Sequence, residues 1–332
     1  MSKVVHVVLT GGVGSRLWPL SRKCRPKQYL DIFSGYSLFE HTINRNRKVA
    51  QELIVVGNVD NIDLSKKSLI KLGVENVINI VEATPRNTAA AIAFAAFAAY
   101  KEDVLIVTPS DHVISDEQLY KQAMQSAVNK ALEGSVVTFG IKPTRPETGY
   151  GYIEFDQDNV LSFREKPDVK TAEDFIKQGN FYWNSGMFCF KAGVFLEELE
   201  KYEPEVFKAS LNAWNKSKDG NLDLELSLKI PSISVDYAVM ERSKKIKVVA
   251  SHFEWSDLGS FESVYDYLVE TGYPTDENGN MVLGTTLHTS FLGLEKCILV
   301  YTDDALMVLK KEKSQDVKNI YQQLESTQSK LL

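Results

Sequence analysis

The sequence predicts an α/β fold: a doubly wound, mainly parallel, Rossmann-like sheet with an antiparallel extension and a small C-terminal β/α element. Three observations carry that prediction. Short runs rich in β-branched residues recur through the first half of the chain and are apolar throughout, as strands covered on both faces should be. Segments with helical spacing or composition alternate with them, as in βαβ units. From Gly149 the texture changes to closely spaced strand–turn pieces.

Taken in order, the strands are VVHVVLT (4–10), LIVVGN (53–58), NVINIVE (76–82) and VLIVTPSD (104–111), with helical stretches near 37–49, 63–72, 87–100 and 116–133. VVTFGIKP (136–143) adds a further strand. GYIEFD, NVLSFREKP and FYWNSGMFCF read as an antiparallel insertion or extension lying over the sheet. KIKVVA (245–250) is a late strand and VYDYLVE a helix. The polar, turn-rich GYPTDENGN (272–280) marks a boundary, giving a domain of residues 1–271 and an element of residues 272–332. In that element CILVYTDDALMVLKK reads as a hairpin and SQDVKNIYQQLES as a closing helix.

At 332 residues the chain can bury a large core. Its net charge of −6 argues against a broad nucleic-acid surface, so the local cation clusters serve something small. Cys24, Cys189 and Cys297 are few and widely spaced, which suits a reduced, cytoplasmic protein. The apolar run at the N-terminus is cut short by Thr10 and glycines and reads as a strand, not a signal peptide. Ala89–Ala99 is too short to cross a bilayer and reads as a buried helix whose small side chains allow close packing, so no membrane partner is expected.

The chemistry concentrates in LTGGVGSRLWPLSRKCRPKQYL (9–30), where glycines and fixed cations follow a strand. A P-loop is ruled out because no Gly-x4-Gly-Lys-Ser/Thr run is present. A dinucleotide fingerprint fits Gly12 and Gly14, but Leu17 stands where its third glycine belongs. A structural glycine turn is the bland alternative. The longer run G-G-V-G-S-R-L-W-P-L-S-R followed by P-K-Q resembles the signature of sugar-nucleotide pyrophosphorylases, and in particular of mannose-1-phosphate guanylyltransferases. That resemblance implies a nucleotidyltransferase that binds GTP and mannose 1-phosphate. It implies a triphosphate grip formed by Gly11, Gly12, Gly14, Ser15 and Arg16, with Arg16 and Lys27 neutralising the reacting phosphates. Arg22 is left open between a supporting role and solvent.

The resemblance continues along most of the chain. EATPRNTAAAIAFAA (82–96) is similar to the family's base-binding segment, which implies nucleotide contacts from Thr84, Arg86, Asn87 and Thr88. Thr84, with Pro85 after it, and Asn87 are equally helix-capping residues. Ser110 and Asp111 end a strand in VTPSDHVI, where a carboxylate can point into a ligand crevice. Asp111 matches a catalytic metal-binding aspartate and Asp257, in FEWSDLGSF, a second ligand; the implied ion is Mg²⁺, a hard cation suited to oxygen and phosphate. His112 reads as local packing, and Trp18 and Trp255 as packing anchors.

RPETGYGYIEF, FREKPD and YWNSGMFCFK resemble the family's sugar-binding half. They imply sugar-phosphate contacts from Gly149, Gly151, Glu165, Lys166 and Asn184, with Lys166 expected in an extended segment before Pro167. Asp236 is read as support for that pocket and Glu241 as structural. The segment around CILV resembles a shortened form of the family's C-terminal element, and no phosphomannose isomerase domain is expected. A homodimer is left open. Two alternatives also remain: transfer to a different sugar 1-phosphate, or a catalytically inactive, ligand-sensing homologue.

Overall fold

The computed structural model describes residues 2–31 and 35–332. The chain divides into two compact units. The first comprises Met1–Gly11, Glu40–Ser110 and Ile114–Trp255, and the second Gly12–Phe39, Asp111–Val113 and Ser256–Leu332.

The strands in chain order are β1 (Val4–Leu9), β2 (Glu52–Asn58), β3 (Val77–Glu82), β4 (Val104–Pro109), β5 (Val113–Ile114), β6 (Val136–Ile141), β7 (Tyr152–Asp156), β8 (Asn159–Arg164), β9 (Phe181–Lys191), β10 (Ile246–Ser251), β11 (Trp255–Ser256), β12 (Met281–Leu283), β13 (Cys297–Thr302) and β14 (Ala305–Lys310). The α-helices are α1 (Leu38–Asn46), α2 (Ile62–Lys71), α3 (Asn87–Ala98), α4 (Glu117–Leu132), α5 (Val169–Gln178), α6 (Ala192–Tyr202), α7 (Pro204–Asn215), α8 (Leu224–Leu228), α9 (Phe261–Glu270) and α10 (Val317–Ser326).

The first unit is built on one sheet of order β3-β2-β1-β4-β9-β6-β10-β8-β7. Its β3-β2-β1-β4 half is parallel, with Val5 beside both Glu52 and Leu105. The β-branched content of these strands suits a half covered on both faces. The antiparallel pieces do not lie over the sheet, as the strand–turn texture suggested. Instead β9 inserts between β4 and β6, antiparallel to both, and β7 and β8 extend the same sheet. The reason is in β9 itself: 11 residues long, it pairs through its C-terminal half with β4 and through its N-terminal half with β7.

Two apolar cores flank this sheet. One gathers α3, whose residues Ala89–Ala96 are all buried, with Phe190, Phe195 and Val206. Alanine allows this helix to pack closely against α6 and α7. The other packs Tyr120, Met124 and Ala127 of α4 on Val137, Phe139 and Cys189. Helices α5 to α8 fill a stretch that sequence patterning did not resolve. Asp168 caps α5 through the Thr171 N–H, and Asp223 caps α8 through that of Leu226.

In the second unit, β12 runs parallel to β13, and β13 and β14 form the expected hairpin. Its core joins Leu17 and Trp18 to Leu258, Phe261, Leu283, Ile298 and Val300. Among the described residues, no helix is long and apolar enough to cross a membrane.

Candidate active site

The glycine-rich loop leaves the end of β1, where Thr10 is pinned. Its N–H and hydroxyl both donate to the Val56 carbonyl, and Asn61 Nδ2 donates to the Thr10 carbonyl. Gly12 and Gly14 then adopt φ of 92° and 74°, left-handed values that only glycine takes without strain. A Cβ on Gly14 would also lie 2.6 Å from that of Lys27. In the second unit the loop's carbonyls are held inward. Gly12 accepts from Gln28 Nε2, Val13 from the Lys27 N–H, Gly14 from the Leu17 N–H and the Ser21 hydroxyl, and Ser15 from the Trp18 N–H. In a trans peptide the next residue's N–H points opposite the carbonyl. The amides of Val13, Gly14, Ser15 and Arg16 therefore turn the other way, which is the arrangement of an anion nest. Gly11 and Gly12 are exposed, and Ser15 and Arg16 half-buried.

Lys27 is only 4% exposed and lies 2.7 Å from Asp111 Oδ2, while its Nζ donates to the Asp257 carbonyl at 2.6 Å. One ammonium thus gathers two residues far apart in the chain. Burial favours the neutral form of Asp111, but Lys27 and the nearby His112 ring outweigh it and hold its carboxyl below the usual range. His112 sits 3.7 Å from Asp111, and the Asp257 carboxylate accepts the Gly259 N–H. Arg22 is not simply solvated. It pairs with Asp304, lies over the Trp18 ring and donates to the Leu331 carbonyl, to which Trp18 Nε1 also donates.

In the first unit, Ser110 at the end of β4 is buried and its hydroxyl has no hydrogen-bond partner among the described residues. The TPRNT segment departs from its expected capping. Helix α3 starts at Asn87 with Arg86 at the N-cap and no side-chain cap, so neither Thr84 nor Asn87 caps it. The cause is Asn87 itself, at φ 69°, whose carboxamide instead accepts the adjoining Thr88 N–H. Arg86 Nε donates to the Ile230 carbonyl, and the Thr88 hydroxyl accepts from the Val235 N–H. Sequence reasoning did not single out Glu82, just ahead of this segment. Burial pushes its carboxyl up to about 7, against the Arg86 backbone N–H.

Three of the sugar-segment residues come together in the first unit. The Asn184 N–H donates to the Gly151 carbonyl, and a Cβ on Gly151 would lie 2.6 Å from Glu165 Oε2. Gly149 sits apart in an exposed turn, its N–H bound to Glu147. Lys166 is not extended: its φ is 45°, and it pairs with Glu165 at 3.0 Å. Only Glu165 to Asp168 separate β8 from α5, and that reversal overrides the preference set by Pro167. Sequence did reach Asp236, but not its bond: Asn184 Nδ2 donates to Asp236 Oδ1 at 2.9 Å.

The donors of the proposed metal site suit a hard ion. Among the described residues no group of three or more His, Cys, Asp or Glu is arranged to hold a metal ion. Two carboxylates, Asp111 and Asp257, match a cation that completes its shell with substrate phosphates rather than a protein cage.

Comparison with known proteins identifies the family. Residues 5–272 match the nucleotidyl transferase family and residues 275–324 the MannoseP isomerase/GMP-like beta-helix domain. The mannose-1-phosphate guanylyltransferase RfbM of Salmonella typhimurium is 39% identical over 95% of this chain and 71% of its own length. The xanthan biosynthesis protein XanB of Xanthomonas campestris is 39% identical over 98% of this chain and 74% of its own. Among solved structures, a Thermus thermophilus protein described as a mannose-1-phosphate geranyltransferase superposes with a TM-score of 0.83 at 28% identity, covering 97% of this chain and 99% of that one. A Helicobacter pylori structure described as a mannose-6-phosphate isomerase gives 0.70 at 37% identity, over 76% of this chain and 99% of that one. The chain is a nucleotidyltransferase and belongs to the mannose-1-phosphate guanylyltransferase family.

Proposed function

We propose that the enzyme transfers GMP from GTP to α-D-mannose 1-phosphate, forming GDP-mannose and releasing pyrophosphate. A phosphate oxygen of the sugar 1-phosphate forms a bond to the α-phosphorus of GTP as the bond to the bridging oxygen breaks. Pyrophosphate leaves with that electron pair. A sugar phosphate is already ionised near neutral pH, so alignment and charge neutralisation suffice and no general base is needed. The observation that carries this reading is the Gly12–Ser15 loop, whose four carbonyls are all taken by internal donors and whose Gly14 meets the stem of the buried Lys27.

In this reading Gly11, Gly12, Gly14 and Ser15 cradle the triphosphate, and Arg16 and Lys27 stabilise charge on the α-phosphate and the leaving group. Thr84, Arg86, Asn87, Thr88 and Ser110 contact the nucleotide. Gly149, Gly151, Glu165 and Asn184 bind the sugar, and Lys166 exchanges Glu165 for the sugar's phosphate. Asp111 and Asp257 would hold Mg²⁺, which supplies further neutralisation of phosphate charge when bound. These roles fall in residues 1–271, while 272–332 share a core with Leu17, Trp18 and Phe261.

Pyrophosphate release, measured with four nucleoside triphosphates crossed against several sugar 1-phosphates, tests the assignment. GTP with mannose 1-phosphate is expected to exceed every other pair by about 100-fold in kcat/KM, about the cost of losing one hydrogen bond to a charged group. Preference for another pair, or no release with any, would contradict it.

A further inference from the structure

We propose that Asp236 is a further sugar-binding residue that sets selectivity: its carboxylate, held beside Asn184 and near Glu165, accepts a hydrogen bond from a ring hydroxyl of the sugar 1-phosphate. The inference rests on the sugar-1-phosphate reading above and names a side chain for it.

Asp236 is placed from two sides. The segment before it is tied to the TPRNT region, because the carbonyls of Ile230 and Ile233 accept from Arg86 Nε and the Ala89 N–H, and the Val235 N–H donates to Thr88. Asp236 then opens a single π-helical turn, Asp236–Met240, whose last three residues are buried. Such turns are rare and concentrate at functional sites. On the other side Asn184 is fixed in orientation. Its Oδ1 accepts the Gly186 N–H at 3.1 Å and the Thr138 hydroxyl at 3.3 Å, which leaves its Nδ2 as the donor to Asp236.

The cations near this cluster act on Glu165 and Glu241, not on Asp236. Glu165 and Glu241 both act on Asp236 as like charges, while Lys166 faces Glu165, and Arg164 and Arg242 face Glu241. Burial first, and then those two carboxylates, push the Asp236 carboxyl up to about 6, with Asn184 opposing. Two other buried acids carry a cation, Glu198 with Lys245 at 3.1 Å and Glu40 with Lys71 at 2.9 Å, whereas Glu82, among the described residues, does not. Asp236 has no such ion pair among the described residues, and Asn184 fills one of the roughly four acceptor positions of a carboxylate. A sugar ring carries hydroxyl donors for the remaining positions.

The raised value also fixes a sign. A carboxyl whose folded-state pKa lies above its usual 3.8 disfavours ionisation, so it costs stability increasingly as pH rises from about 4 to 6, and fully above that. Asp236→Asn is therefore expected to melt at or above the wild type at pH 8.

The test uses the sugar 1-phosphate that the wild type turns over fastest, together with its ring-deoxy analogues. In Asp236→Asn, KM for the sugar phosphate is expected to rise about 10- to 100-fold, the range for a bond to a charged group, with KM for the nucleotide within about twofold. Removing one ring hydroxyl should cost the wild type a similar factor in kcat/KM, and in the variant that penalty should nearly vanish. Unchanged penalties at every ring position would overturn the inference while leaving the enzyme assignment intact. So would a lower melting temperature with both KM values rising together, which marks a structural role. Absence of turnover with any sugar 1-phosphate would overturn both.

Discussion

Replacing Lys27 by alanine is expected to lower kcat by about 10²- to 10³-fold, the effect of removing one preorganised charge-stabilising group. The same change should lower the melting temperature. Lys27 is the buried cation of Asp111 and a donor to the Asp257 carbonyl, and stripping the partner from a largely buried charge costs about 3 kcal/mol. Two readouts separate chemistry from folding. Circular dichroism below the melting transition should match the wild type, and millimolar methylammonium should restore part of the lost rate by filling the vacated space. Lys27→Arg should not substitute. Gly14 packs on the Lys27 stem, and a planar guanidinium cannot replace a compact ammonium held at both contacts. Wild-type kcat in Lys27→Ala would remove this residue from the site.

Asp111→Asn should lower kcat by about 10³-fold with a smaller loss of stability, because the carboxamide can still accept from Lys27. The charge is what disappears. Asp111 stays ionised although burial opposes it, since Lys27 and His112 hold its carboxyl low. If that charge holds the divalent ion, the Mg²⁺ concentration giving half-maximal rate should rise at least tenfold in the variant. An unchanged Mg²⁺ saturation curve together with an unchanged kcat would sink the assignment of Asp111.

The parallel strands were legible because each is a short apolar, β-branched run, and such runs leave few alternatives. Strand β9 was legible as a strand, but its insertion between β4 and β6 was not, since pairing partners leave no trace in a single sequence. Helices α5 to α8 went unread although cap and turn residues mark their starts, Asp168 before α5, Pro204 in the first turn of α7 and Asp223 before α8. The loop's residue types pointed to phosphate, yet the bonding of its carbonyls to Gln28, Lys27, Leu17, Ser21 and Trp18, on which the proposed grip rests, is a pattern that spacing cannot show. Lys27 is the clearest case. Its partner Asp257 lies 230 residues away, so its burial and its role as a hub were invisible before folding. Local strain set the remaining differences, with Asn87 and Lys166 both at positive φ where capping and proline rules predicted otherwise.

The central claim is that the sugar phosphate itself attacks the α-phosphorus in one displacement, assisted by charge alone. The stereochemistry of transfer tests it most directly. With a single diastereomer of GTP carrying sulfur on the α-phosphate, and mannose 1-phosphate as acceptor, one in-line displacement predicts inversion at phosphorus in the thio-GDP-mannose product. Retention would require a second displacement through a covalent guanylyl-enzyme, and would contradict a site built from Arg16, Lys27 and Asp111 without a nucleophile.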